Sequence, residues 1–244
     1  MKKIVLALAA LAMGSISASA ADMAARPYTK APPPMANPGY NWSGFYLGLQ
    51  VGYAWGDNYT TEFVTATGLP SGFSQGYNSD GIVGGIHGGY NWQAGQFVFG
   101  IEADVEGADI NGGYRLANTN GTDYRLQFQS SVRGRLGMAF GSSLLYVTGG
   151  VAFADIDHTY VNGGLGISET VGRDRTGYTV GAGLEHGFTP NLSARLEYRY
   201  TDFGTFTNTS LVAFPGFSYE DHPTYHTVRG GLTYRFGGPG VAQY

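Results

Sequence analysis

Six arginines and five carboxylates fall at alternate positions in runs that are otherwise apolar or glycine-rich. They are Arg133, Arg135, Arg195, Arg199, Arg229 and Arg235, with Glu102, Asp104, Glu106, Glu185 and Glu197. Arg195, Glu197 and Arg199 are spaced i, i+2, i+4, so on an extended strand they share one face. Two kinds of chemistry suit such a set. Paired within a narrow, poorly hydrated space, the charges make a structural plug of salt bridges, because unpaired ions there are costly. Left partly open, the same charges set the selectivity of an ion path. The plug is the plainer reading.

Other constellations are thinner. Glu220, Asp221, His222 and His226 cluster with the histidines four apart, but i, i+4 metal spacing belongs to a helix and this stretch reads as extended. Asp155, Asp157 and His158 form a second small group of possible ligands. Lipid hydrolysis at a barrel rim would need Ser and His side by side, oriented by a carboxylate. Ser130 and His226 fall on strands on opposite sides, and His186 lies near the other rim, so no triad forms. His87 reads as a packed interior histidine. Gly84-Gly85 and Gly88-Gly89 precede no helix and make no phosphate loop. The absence of Cys excludes disulfides, thiolate zinc sites and Cys catalysis. A formal net charge of −4 does not suggest a nucleic-acid partner. No metal, cofactor or enzymatic activity is expected.

The elements that must position the charges are strands. From Trp42 onward, apolar residues recur at every second position, the mark of a strand with two unlike faces. On the first strand Phe45, Leu47, Leu49, Val51, Tyr53 and Trp55 alternate with Tyr46, Gly48, Gln50, Gly52, Ala54 and Gly56. Seven more such runs follow, the last holding Val228, Leu232, Tyr234 and Phe236 against Arg229, Gly231, Thr233 and Arg235. Connections alternate in length. After even-numbered strands they are tight, as at Gln93-Ala94-Gly95, Gly141-Ser142 and Thr189-Pro190-Asn191. After odd-numbered strands they are long: about Asn58 to Asp80, Ile110 to Asp123, Thr159 to Gly172 and Thr205 to His222. The pattern predicts an all-β fold, an eight-stranded antiparallel up-and-down transmembrane β-barrel.

Alternation alone leaves open which row faces in. Volume decides it, since an eight-stranded barrel is only just wide enough to be filled by side chains. The bulky row would overfill it, whereas Gly, Ala, Ser, Thr and the charges fit. With 40 glycines in 244 residues, and aromatics at 14% exceeding charged residues at 13%, the composition excludes a coiled coil and a disordered chain.

The chain divides as follows. Lys2 and Lys3, an apolar run and Ala18-Ser19-Ala20 make residues 1–20 a secretory signal peptide. Residues 21–41, with five prolines from Pro27 to Pro38, read as a periplasmic lead-in that acts as a spacer. The barrel occupies 42–236, and 237–244 form a short tail.

Tyr40-Asn41-Trp42-Ser43-Gly44-Phe45-Tyr46-Leu47-Gly48, after Tyr28-Thr29-Lys30-Ala31-Pro32-Pro33-Pro34 and before Gly52-Tyr53-Ala54-Trp55-Gly56, resembles the start of the outer-membrane immunogenic proteins of alphaproteobacteria. Near the end, Arg229-Gly230-Gly231-Leu232-Thr233-Tyr234-Arg235-Phe236 is similar to the barrel-assembly signal, with Gly231, Tyr234 and Phe236 at its marker positions. The resemblance implies a surface protein of the Gram-negative outer membrane that supports envelope integrity and exposes antigenic loops. Its implied partners are outer-membrane lipid and, during biogenesis, periplasmic chaperones and the barrel-assembly machinery. A narrow porin-like channel and an adhesin acting through the long loops stand as alternatives.

Overall fold

The computed structural model describes residues 40–236; the expected signal peptide, the expected lead-in as far as residue 39 and the expected tail from residue 237 lie outside the described residues. Ten strands follow in chain order: β1 (Gly44–Val64), β2 (Leu69–Ala94), β3 (Phe97–Arg115), β4 (Gly121–Phe140), β5 (Ser143–Asn162), β6 (Ile167–Gly187), β7 (Leu192–Asp202), β8 (Phe206–Ser210), β9 (Phe217–Asp221) and β10 (Thr224–Phe236). Eight of them close a ring. Neighbours from β1 to β7 pair antiparallel, β10 pairs with β7, and β10 returns to β1 from Phe45↔Phe236 to Trp55↔His226. Closure leaves no free edge in this part of the sheet, as a chain surrounded by lipid requires.

Alternation sets the faces. Phe45 is 64% exposed and its neighbour Tyr46 is 3% exposed, and the same contrast repeats around the ring. Leu47, Leu49 and Val51 on β1, Phe97, Phe99 and Ile101 on β3, Leu136 on β4 and Leu145 and Val147 on β5 all point outward. A continuous exposed band of this kind meets acyl chains rather than water. Its upper limit runs near Trp55, Val105, Phe153 and Tyr178, and its lower limit near Phe45, Phe140, Phe188 and Phe236.

Above that band the structure departs from the reading of long loops. The strands continue well past it as β-hairpins, so β1 and β2 are joined only by residues 65–68, and β5 and β6 only by 163–166. The segment from Thr205 to His222 itself forms the β8–β9 hairpin, whose β9 pairs with the outer end of β1 from Thr60↔Asp221 to Val64↔Phe217. The reason is a change of surroundings. Outside the membrane the outer wall meets water, so it turns polar, with Asp109, Asp123, Arg125 and Asp174 exposed. The interior exchanges the arginines for an apolar and aromatic cluster, with Ile110, Tyr124, Leu126 and Ile156 buried together beside uncharged polar side chains such as Asn58, Thr60 and Ser79. Register irregularities between Gly107 and Ile110 on β3, and between Leu126 and Phe128 on β4, fall at this transition. A bulge of that kind shifts the alternation by one residue and hides the strand from a period-of-two search.

Small inward residues leave room for large ones. At Gly48 a Cβ would stand 2.4 Å from the His87 ring, and at Gly183 it would stand 2.5 Å from the Tyr146 hydroxyl. Glycine is the residue that permits such close approach.

Candidate functional site

All eleven charged residues of the inward rows are buried inside the ring. The strands bring them together from five directions. β3 supplies Glu102, Asp104 and Glu106; β4 supplies Arg133 and Arg135; β6 supplies Glu185; β7 supplies Arg195, Glu197 and Arg199; β10 supplies Arg229 and Arg235.

The ions sort into two groups. In the centre, four cations meet four anions. Arg133 pairs with Glu102, with Asp104 at 3.2 Å and with Glu197 at 2.7 Å. Arg195 reaches Glu102 at 2.6 Å, and Arg199 reaches Asp104 at 2.7 Å and Glu106 at 3.2 Å. Arg229 spans Glu106 at 2.8 Å and Glu197. Neutral donors fill remaining acceptor positions. The Tyr46 hydroxyl donates to Glu102 at 2.9 Å, Gln50 and Gln129 amides donate to Glu106 at 2.6 and 2.7 Å, and the Tyr146 hydroxyl donates to Glu197 at 2.9 Å. Charge-assisted hydrogen bonds of this kind, several to each carboxylate, offset the cost of removing ions from water.

Toward the rim of short turns, where β1 begins and β10 ends, the balance changes to two arginines on one carboxylate. Arg135 pairs with Glu185, and Arg235 stands 3.7 Å from it. The surplus cation is met by aromatic faces. Arg135 lies 3.8 Å from the Tyr146 ring centroid, and Arg235 lies 4.9 and 4.6 Å from the Tyr40 and Trp42 centroids. Arg235 also donates to the Asn41 carbonyl at 3.0 Å. Cation–π contact strengthens where water is excluded. Tyr40 and Asn41, read from sequence as the end of a spacer, thus line the barrel mouth, and Trp42 is fully buried there beside Val98, Ala139, Leu144 and Tyr146.

Sequence reasoning assigned no role to Tyr40, Trp42, Tyr46, Gln50 or Tyr146. A signal was present for the first four: Gln50 and Tyr46 share the inward phase of β1, which runs back through positions 44, 42 and 40, all of one parity.

The possible metal ligands do not converge. Asp155 and Asp157 face out while His158 is buried inside. Asp221 is also interior, whereas His222 contacts Asp202 at 3.1 Å and His226 bonds the Tyr198 hydroxyl at 2.6 Å on the outer wall. Among the described residues no three His, Asp or Glu side chains gather as a metal site. His87 is buried and bonds Thr233 at 2.9 Å. A Ser–His contact does occur, Ser143 Oγ to His186 Nδ1 at 2.9 Å. It lies at the periplasmic end, and among the described residues no carboxylate bonds the imidazole.

Above the membrane, Asp221 and His158 face each other. Asp221 Oδ2 lies 3.2 Å from His158 Nδ1, off the line that a hydrogen bond needs, and Thr60 donates to its other oxygen. Burial pushes the Asp221 carboxyl up to about 7, against the pull of Arg175. Burial, with Arg175 adding, lowers the His158 imidazole to about 4.

Of the assembly-signal positions, Tyr234 and Phe236 point outward at the seam with β1, and Gly231 faces inward, where a Cβ would meet the Leu49 carbonyl at 2.8 Å.

Comparison with known proteins agrees with this geometry. The family model for the outer membrane protein beta-barrel domain matches residues 6–236. The 31 kDa outer-membrane immunogenic protein of Brucella melitensis biotype 1 is 32% identical over 247 residues, covering 97% of this chain and all of that protein. The 22 kDa outer membrane protein of Rhizobium leguminosarum bv. viciae is 36% identical over 170 residues, covering 68% of this chain and 66% of that protein. Among solved structures, the outer membrane protein OprG from Pseudomonas aeruginosa superposes with a TM-score of 0.54 at 11% identity, covering 82% of this chain and 99% of that one.

Proposed function

The chain belongs to the outer-membrane β-barrel protein family, and we propose that it serves there as a closed, non-enzymatic structural element of the Gram-negative cell envelope that displays a rigid surface crown. It is an outer-membrane protein of the immunogenic surface-antigen group. One observation supports the closed, structural reading above others. Every charge of the lumen is buried in the ion-pair network, with four cations matched to four anions at its centre. A structure that spends its polar groups on one another stabilises a wall and leaves few free to bind or transform a substrate.

Planar-bilayer recording tests this reading. The purified protein is expected to insert without discrete conductance steps. Regular, voltage-independent steps in the native protein would support the narrow channel instead.

The crown supports a second role, contact with another surface. Its tips present large apolar residues to water, Leu165 at 69% exposure and Leu211 at 74% beside the exposed Val212. Replacing the four tips by short turns should abolish adhesion to a cell that the native protein binds, and unchanged adhesion would reject this role. For biogenesis, we propose that the outward Tyr234 and Phe236 with Gly231 are what the barrel-assembly machinery reads. Phe236→Ala should then slow the appearance of heat-modifiable protein in the membrane, with the chain otherwise exported normally.

A further inference from the structure

The crown contains a cleft that neither the wall nor the lumen network explains. Its volume is ≈ 130 Å³, and it opens between the tips of β1 and β2, the β3–β4 turn with the strand ends beside it, and the β8–β9 hairpin. Two aromatic pairs wall it. Phe73 and Tyr114 lie 6.0 Å apart between centroids, and Phe214 and Tyr219 lie 6.2 Å apart, edge to face. Leu116 closes another side, and Glu62 places a carboxylate on the lining.

That carboxylate is held in position but not neutralised. The Tyr219 hydroxyl donates to its Oε2 at 2.9 Å and Ser71 Oγ donates to its Oε1 at 2.7 Å. Both donors are neutral, and among the described residues no Lys, Arg or His forms an ion pair with Glu62. Glu62 is half-buried, and its carboxylate reaches the cleft with only neutral donors on it and aromatic rings beside it.

We propose that this cleft binds a small organic ammonium, with the cationic head against the aromatic rings and its charge facing Glu62. Ring faces attract cations that carry little hydration, and quaternary or alkylated ammonium groups have that property. A divalent metal would need a shell of oxygen ligands that rings and one carboxylate do not supply. The volume suits a trimethylammonium-sized head. The position limits the source. Glu62 lies seven residues beyond Trp55, where the apolar band ends, which on a tilted strand is roughly 18 Å above the lipid. Headgroups of the surrounding leaflet do not reach it, so the ligand is a solute of the external medium.

Calorimetric titration of the full-length folded protein tests this, in a polyoxyethylene detergent that carries neither an ammonium nor a sugar. Choline should bind saturably at one site, and its neutral isostere 3,3-dimethylbutanol should not bind measurably. Glu62→Gln should weaken choline binding roughly tenfold or more. Leu116→Lys, a turn substitution that brings a competing ammonium to the cleft, should abolish it. Heat-modifiable migration confirms folding of each variant. If the isostere binds as well as choline, or if folded Glu62→Gln and Leu116→Lys both bind choline like the native protein, the assignment is overturned. Failure of choline to bind the native protein overturns it as well. None of these results bears on conductance, so the closed-barrel reading stands or falls separately.

Discussion

At the scale of single residues, the lumen rests on shared carboxylates. Glu197 accepts from Arg133, Arg229 and Tyr146 at once. Glu197→Gln keeps the volume but leaves two buried guanidinium groups short of a counter-charge. Breaking a buried pair by removing one partner costs about 3–5 kcal/mol. Denaturant unfolding of the reconstituted barrel, followed by gel migration, should show a clear fall in midpoint. A midpoint equal to the native one would mean that the network contributes little.

Asp221 and His158 make a prediction about pH. A carboxyl raised from 3.8 to about 7 in the folded crown favours folding at low pH, and that contribution is lost as pH rises through 7. An imidazole lowered from 6.5 to about 4 acts in the opposite sense. Its contribution is present above 6.5 and is lost as pH falls through 4. The two largely offset each other between pH 4 and 6.5, so the native crown should be nearly indifferent to acid. Asp221→Asn removes one side of the balance, and the variant's crown should loosen on acidification from pH 7 to 4.5. His158→Asn should show the reverse trend. Amide exchange of residues 156–162 at the two pH values is the measurement.

At the scale of elements, the β8–β9 hairpin is an addition to the ring and not a member of it. β1 pairs with β10 up to Trp55 and with β9 only from Thr60 onward. The ring therefore closes without the hairpin. Replacing residues 204–222 by a short turn should leave heat-modifiable migration intact while raising amide exchange in the outer half of β1 and in β5 near Tyr160, which stacks on Tyr219 at 4.7 Å. Loss of the folded band in that deletion would mean that the hairpin is needed for closure.

For the whole molecule, one sheet passes through three surroundings and its filling changes with each. The periplasmic mouth is capped by Tyr40 and Trp42 over Arg235. The middle is ionic inside and apolar outside. The crown holds an aromatic cluster inside, around Tyr77, Tyr124 and Tyr225, with buried polar groups such as His158 and Asp221, and is polar outside. Protection should follow this plan. Protease added to the outside of reconstituted vesicles is expected to nick only the tips, at residues 65–68, 116–120, 163–166 and 211–216. Early cleavage within 70–80 or 167–172 would indicate flexible loops in place of strands.

What the sequence determined by itself was the membrane ring: eight strands, their phase and the inward charges. Lipid imposes one rule on every strand, bulky outside and small or charged inside, and a rule repeated eight times is readable. Phe45 and Tyr46 could have been assigned to opposite faces from their neighbours alone. The ion-pair partners were decided only by tertiary structure, because pairing depends on register between strands far apart in sequence, as for Arg195 and Glu102. The crown was also a tertiary decision. Where water replaces lipid the outward residues become polar, bulges shift the period on β3 and β4, and Ile110 to Asp123 then look like a loop although all but residues 116–120 are strand. Alternation reports which face is greasy. The small volume of an eight-stranded lumen then says that the greasy face looks at lipid, and closure of the sheet decides which ions meet inside it.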